Sequence, residues 1–424
     1  MRPPNTMTYL PRWMTPGLRA ITLLGLTGLT GLTGLAIPAA WAQSSPYSIG
    51  VAQTFTHESN LLRVREGQMA PAGQSESDTI SSTALVAGID QSFGRQRLSG
   101  SASVRANRYA NYKEFDGIGY SLNLGLDWET IERLSGRVSV GADRTERADL
   151  RDRLGQFIGG GNSEDTQRFS ATARMGLAGP LSLEGGVNYY DLSYEAPTAA
   201  YAEYRQTGAS LGVRYRLGGA TSVAVSLRTA SIDYPNLLIS QADPRDKRQR
   251  DDIDLNFVWV PSGTSNLDLT ISQGRTRYDQ LSERDFDGLT GAAAWGWNPG
   301  GRLRLNARLA RDTGQTSDLS TTAFSQTTDN LRVGVDYDVT GKIVATASLQ
   351  VYNRTQDGSG QTVTGLRGRD TGNVLSLGAR WVPRRSLTVG CQTSFEKRGT
   401  SSEPRLNDAY SANIVSCYGQ FTLQ

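Results

Sequence analysis

The sequence predicts an all-β protein. It reads as a single antiparallel transmembrane β-barrel of about 18 strands, of the outer-membrane kind, behind a cleaved signal peptide. Three observations carry this. Segments after residue 42 alternate apolar and polar residues with a period of two. Their connections alternate between short turns and long polar loops. The tryptophans of this region collect at one end of alternate strands.

In chain order the leader comes first. Arg12 and Arg19 precede the uncharged run AITLLGLTGLTGLTGLAIP, and Ala40–Ala42 forms an A-x-A pattern before Gln43. These are the three parts of a secretory signal. An uncleaved anchor is the alternative, since the run is long enough to span a bilayer. Pro38 and small residues leading into the A-x-A site favour cleavage, so the expected division is 1–42 signal peptide and 43–424 barrel. Past residue 42 no apolar run approaches the roughly 18 residues of a membrane helix.

Charge narrows the function classes. The formal net charge of +3 belongs to the leader, where Arg2, Arg12 and Arg19 stand without an acid; residues 43–424 carry 41 bases and 41 acids. A nucleic-acid binder shows a basic excess, so no nucleic-acid partner is expected. Only four bases are lysines (Lys113, Lys247, Lys342, Lys397), against 40 arginines.

The strands follow. Leu85, Ala87, Ile89 and Phe93 alternate with Val86, Gly88, Asp90 and Ser92, and Leu122, Leu124, Leu126 and Trp128 with Asn123, Gly125 and Asp127. Leu211, Val213, Tyr215 and Leu217 alternate with Gly212, Arg214 and Arg216, and Ile253, Leu255, Phe257 and Trp259 with Asp254, Asn256 and Val258. A helix of period 3.6 would scatter such residues around its circumference. The same pattern explains GRLRLNARLARD, residues 301–312. Leu303, Leu305, Ala307 and Leu309 fall on one face and Arg302, Arg304 and Arg308 on the other, while Arg311 falls on the apolar side near the outer rim. Its long side chain is expected to reach lipid headgroups.

Eight short turns, from GRQR (94–97) to VPRR (382–385), alternate with nine longer segments rich in Gly, Ser, Asp and Gln. That alternation is the habit of outer-membrane barrels. Trp128, Trp259, Trp295, Trp297 and Trp381 all lie just before short turns, as do Phe93, Tyr215 and Tyr337, which is the expected placement of an interfacial aromatic girdle. Tyr109, Tyr112, Tyr189, Tyr190, Tyr194, Tyr201, Tyr204, Tyr234, Tyr278 and Tyr352 collect towards the opposite end. The preferred reading makes them an outer girdle; the alternative makes them platforms for sugar rings. A soluble sandwich or β-helix would need a buried face of branched apolar residues, and that face is often Gly, Ala and Ser here. The closing strand SANIVSCYGQFTLQ keeps the period of two and ends on Gln424, not the Phe usual in barrels.

Candidate chemistry is sparse. His57 is the one histidine, and its neighbours Glu58 and Ser59 alternate in facing, so the trio does not form a triad by itself. One histidine and two cysteines give no metal-ligand spacing. No catalytic residue, metal or cofactor is expected, and the chain does not read as an enzyme. Cys391 and Cys417 are symmetric about Pro404 in the last hairpin, which sets them opposite each other and predicts a cross-strand disulfide. The alternative is two free thiols facing lipid.

The arginines are the main functional signal. Wherever the apolar face is clear, arginine takes the other one: Arg105, Arg137, Arg168, Arg174, Arg214, Arg216, Arg228, Arg302, Arg304, Arg308 and Arg380. Asp127, Asp143, Glu184, Asp254 and Asp268 share that face. An arginine facing mid-bilayer lipid costs about 2–4 kcal/mol, so these residues are expected to line the lumen. They either brace a wet lumen through Arg–Asp pairs or form a selective path for an acidic polymer, since guanidinium forks bind carboxylates.

The stretches THESNLLR, SDTISSTALVAGIDQSFGRQRLSGSASVRANRYANY, GYSLNLGLDW and SCYGQFTLQ resemble the β-barrel porin family encoded in exopolysaccharide operons, the EpsL-like outer-membrane proteins. The resemblance covers nearly all of residues 43–424 and is strongest over about the first 90 of them. It implies an outer-membrane barrel associated with exopolysaccharide biosynthesis and export, and it supplies no site residues. The arginine-lined face suits an acidic polysaccharide. An all-barrel chain, without a helical-repeat scaffold, would leave that job to a periplasmic polysaccharide-export protein as partner. A general diffusion porin for small solutes is the alternative expectation, and an outer-membrane enzyme or structural protein a third.

Overall fold

Alternation leaves each strand with one apolar and one polar face, and lipid tolerates no unpaired backbone edge. The computed structural model of the chain meets both demands by closing one sheet. It describes residues 45–67, 75–148, 158, 163–177, 179–236, 246–279, 285–314, 324–358, 367–400 and 409–423; the expected signal peptide lies outside them.

The strands are β1 Tyr47–Glu58, β2 Asp78–Phe93, β3 Gln96–Tyr109, β4 Gly117–Glu129, β5 Leu134–Glu146, β6 Ser163–Gly176, β7 Leu181–Tyr194, β8 Tyr204–Gly218 and β9 Thr221–Tyr234. The second half is β10 Asp246–Ser262, β11 Ser265–Tyr278, β12 Phe286–Trp297, β13 Leu303–Gly314, β14 Phe324–Asp338, β15 Ile343–Gly358, β16 Arg367–Arg384, β17 Leu387–Thr400 and β18 Tyr410–Leu423. They form one 18-stranded sheet in which β1 pairs antiparallel with both β2 and β18, closing the barrel.

The register keeps apolar residues together around the outside. Val51 stands opposite Leu85 on one side and Phe421 on the other, and Leu211 opposite Leu227. Ile49, Leu85, Leu211, Leu227, Ile253 and Leu309 are exposed large apolar side chains on that outer face. In water such a band would drive aggregation; in a bilayer it is the lipid-facing surface. The outer face is therefore that of a membrane-spanning barrel of the outer-membrane kind.

Short turns close one end. Phe93 pairs with Gln96 across the two-residue loop Gly94–Arg95, where Gly94 has φ +61°. This is the positive φ that tight hairpins demand and that glycine adopts without strain. Near this end Trp259, Trp295, Trp297 and Trp381 point outwards and stay exposed, as do Phe93, Tyr215 and Tyr337. Trp295 and Trp297 stack with ring centroids 6.0 Å apart.

At the loop end the segment after β1 folds inwards. Leu61, Leu62 and Val64 pack in a buried cluster with Ile80, Tyr109, Tyr112, Phe115 and Ala148. Two short 3₁₀ turns, Lys113–Phe115 and Pro197–Ala202, lie in the same tier. The described core therefore lies inside the mouth.

Candidate functional site: the inner wall

Facing follows from register. A residue opposite an outward-facing partner also faces outwards, and its chain neighbours face in. Arg105, Arg137, Arg168, Arg174, Arg214, Arg216, Arg228, Arg304, Arg308 and Arg380 all occupy inward positions of their strands. Arg302 stands one residue before β13, at the turn end, and donates to the Val339 carbonyl at 3.4 Å.

Six of these arginines are held by acids. Arg137 pairs with Asp127 at 3.0 Å, Arg168 with Asp143, and Arg304 with Asp338 at 2.7 Å. Arg174 and Arg214 share Glu184 at 2.6 and 2.7 Å. Arg228 reaches Asp252 at 3.0 Å and Asp254 at 3.2 Å. These are adjacent-strand or same-face neighbours, so the pairs stitch strand to strand along the inner wall. Arg105, Arg216, Arg308 and Arg380 make no ion pair among the described residues, and neither does Arg302.

The wall also holds arginines outside the eleven named from the sequence: Arg248, Arg250, Arg332, Arg354 and Arg398. Arg332 was within reach of the parity rule, because Leu331, Val333, Val335 and Tyr337 alternate around it. Arg248 and Arg250 were not, because the run DKRQRDD holds no apolar residue to alternate with them. In the barrel it is the start of β10. Arg250, only 5% exposed at its side chain, bonds Asp252 at 2.9 Å and reaches Asp312 on β13 at 3.6 Å. Its path lies over Gly274, where an added Cβ would stand 2.2 Å from an Asp252 oxygen.

The tyrosine expectation is corrected. Tyr109, Tyr190, Tyr194, Tyr204, Tyr234, Tyr278 and Tyr352 occupy inward positions; Tyr189 faces out. Tyr190 stacks on Tyr204 at 5.4 Å, and Tyr204 on Tyr234 at 5.5 Å. Arg248 lies over the Tyr278 ring. They are neither an outer girdle nor free platforms, but a packed inner lining. Outside the ring of strands, Tyr112 is held in the loop cluster, where burial and then Glu114 and Asp78 raise its phenol.

The rim is also revised. Arg311 does face out, but Asp329 directly opposite takes its guanidinium at 2.7 and 2.9 Å. Arg144 and Asp165, and Arg205 and Asp191, do the same on other strands. The headgroup-level charge is neutralised by the neighbouring strand.

The inward-folded first loop is latched by Arg63, whose φ is +53°. Arg63 bonds Glu58 at 2.9 Å and Glu396 on β17 at 3.3 Å, and lies over the Tyr410 ring. Burial opposes its charge, but the two glutamates outweigh burial and hold its proton more firmly than usual. His57 points outwards to Thr79 Oγ1 at 3.0 Å while Glu58 faces in. Cys391 and Cys417 stand in register on the outer face and are joined by a disulfide. No cluster of potential metal ligands occurs among the described residues.

No family model and no curated protein matches the chain. Among solved structures it is similar to OccK9 (OpdG) of Pseudomonas aeruginosa, at 13% identity and a TM-score of 0.45, covering 89% of this chain and 98% of that one. It is similar to OccK2 (OpdF) of the same organism at 13% and 0.47, covering 89% and 98%. The FrpB iron transporter of Neisseria meningitidis gives 11% and 0.48, over 90% and 82%. The fold rests on the closed ladder itself. The chain is a closed 18-stranded antiparallel β-barrel of the outer-membrane kind.

Proposed function

We propose that the protein is a passive diffusion channel through which small hydrophilic solutes cross the outer membrane. The observation behind this reading is the wet inner wall. At the turn end Arg137 and Asp127 are 46% and 44% exposed, and Arg304 and Asp336 are 40% and 42% exposed, although all four face into a closed barrel. A barrel of 16–18 strands has room for an aqueous channel. The deciding experiment is liposome swelling with purified protein and sugars of increasing size. Uptake that falls with solute size supports the channel, and impermeability to the smallest sugar overturns it.

Passage of an exopolysaccharide is the second reading and rests on the sequence resemblance; the inward arginines suit an acidic polymer, and a periplasmic export protein would be its partner. Deleting the gene tests it. Polymer trapped in the periplasm supports it, and unchanged secretion with none trapped removes it.

A further inference from the structure

We propose that Arg308 and Arg332 form a binding site for the carboxylate of a sugar acid at mid-height in the channel. The inference rests on the channel reading above and adds a ligand class to it.

Arg308 on β13 stands directly opposite Arg332 on β14. Opposed residues lie about 5 Å apart at their Cα atoms, and like charges there are destabilising. Among the described ladder positions no other two bases are opposed. The comparable acidic pair, Glu58 opposite Asp78, is compensated. Arg63 donates to Glu58, and the backbone amides of Thr79, Asn111 and Tyr112 donate to Asp78.

The arginine pair has no such relief from acid. Ala294 flanks Arg308 across β12, and Gln350 flanks Arg332 across β15, accepting one guanidinium N–H at 2.6 Å. The next inward positions along the two strands are Asn306, Ala310, Asn330 and Gly334. Arg308 makes no hydrogen bond or ion pair among the described residues, and both arginines are exposed although they face inwards. Two guanidinium forks side by side in water make a receptor for an oxyanion.

Asn330 supplies a second, independent observation. It is the inward neighbour of Arg332, and its Oδ1 is buried without a hydrogen-bond partner. A buried acceptor left unpaired costs free energy, and a turn of the Asn330 amide towards the lumen lets a solute hydroxyl relieve it. A carboxylate for the arginines and a hydroxyl for Asn330 together describe a sugar acid better than a bare anion.

The test is current blockade in planar bilayers with galacturonate, galactose and acetate as probes. Wild-type protein is expected to show concentration-dependent blockade by galacturonate, little by galactose, and weaker blockade by acetate. In Arg308→Gln/Arg332→Gln the galacturonate residence time should fall tenfold or more, and Asn330→Ala should bring galacturonate down to the level of acetate. Arg311→Gln, on the outer face, serves as the control and should leave blockade unchanged. Equal blockade in the double variant overturns the site, and equal blockade by acetate and galacturonate in wild type overturns the sugar-acid assignment. If the barrel does not conduct, the channel reading falls. Calorimetric titration of galacturonate into the detergent-solubilised barrel then decides the site alone, with loss of binding in the double variant as the supporting result and unchanged binding as the opposing one.

Discussion

On the arc from β9 to β10 arginine is walled in by acid; on the arc from β13 to β14 arginine faces arginine. Arg228 and Arg250 converge on Asp252, whose side chain is 2% exposed. Arg308 and Arg332 stand in open lumen with amide and small residues around them. The residue type is the same, and strand parity treats the two arcs alike. A buried guanidinium needs a carboxylate to offset its desolvation, whereas an exposed one is already solvated and stays free for a solute. One arc braces the wall and the other offers charge to the channel.

Four variants break or sharpen that contrast, in order of expected size. Asp252→Ala leaves two arginines short of a shared partner in a buried place and should cost about 3–5 kcal/mol, read by urea unfolding in vesicles. A loss below about 1 kcal/mol would show that the brace is dispensable. Gly274→Ala drives a methyl group into the Asp252 carboxylate and should cost about 1–3 kcal/mol through overpacking in the same assay.

On the other arc, Arg308→Gln/Arg332→Gln should leave stability unchanged or raise it by about 0.2–1 kcal/mol, since it removes an opposed like-charge pair. The reversal potential under a salt gradient should at the same time shift towards cations. A shift towards anions, or a large loss of stability, would place the pair among the braces. Arg311→Gln disturbs an exposed rim pair worth about 0–1 kcal/mol and should alter neither selectivity nor the midpoint of unfolding beyond that.

Much of the architecture was legible in the residues. Leu303, Leu305, Ala307 and Leu309 against Arg302, Arg304 and Arg308 assign two faces with no knowledge of neighbouring strands, because side-chain facing depends only on the local period. The equal spacing of Cys391 and Cys417 about Pro404 likewise belongs to one hairpin. Other features were hidden by their context. DKRQRDD holds no apolar residue to mark its faces, and its charges pair within the run and with Arg228 on β9 and Asp312 on β13. The tyrosines were assigned to the right end but mostly to the wrong side. Towards the mouth the strands rise past the apolar band, so parity there no longer announces itself through leucine and valine.

By itself, the sequence determined the strand period, the alternation of turns and loops, and the inward facing of the arginines. Each of these is set by residues within a few positions of one another. Tertiary structure decided which arginine meets an acid and which meets another arginine. Arg250 reaches Asp312 from a strand three places away, Arg63 latches a loop after β1 to Glu396 on β17, and Arg308 faces Arg332 only because β13 and β14 pair in one particular register. Charge pairing depends on distances between strands. Those distances exist only once the sheet has twisted, closed and fixed its stagger.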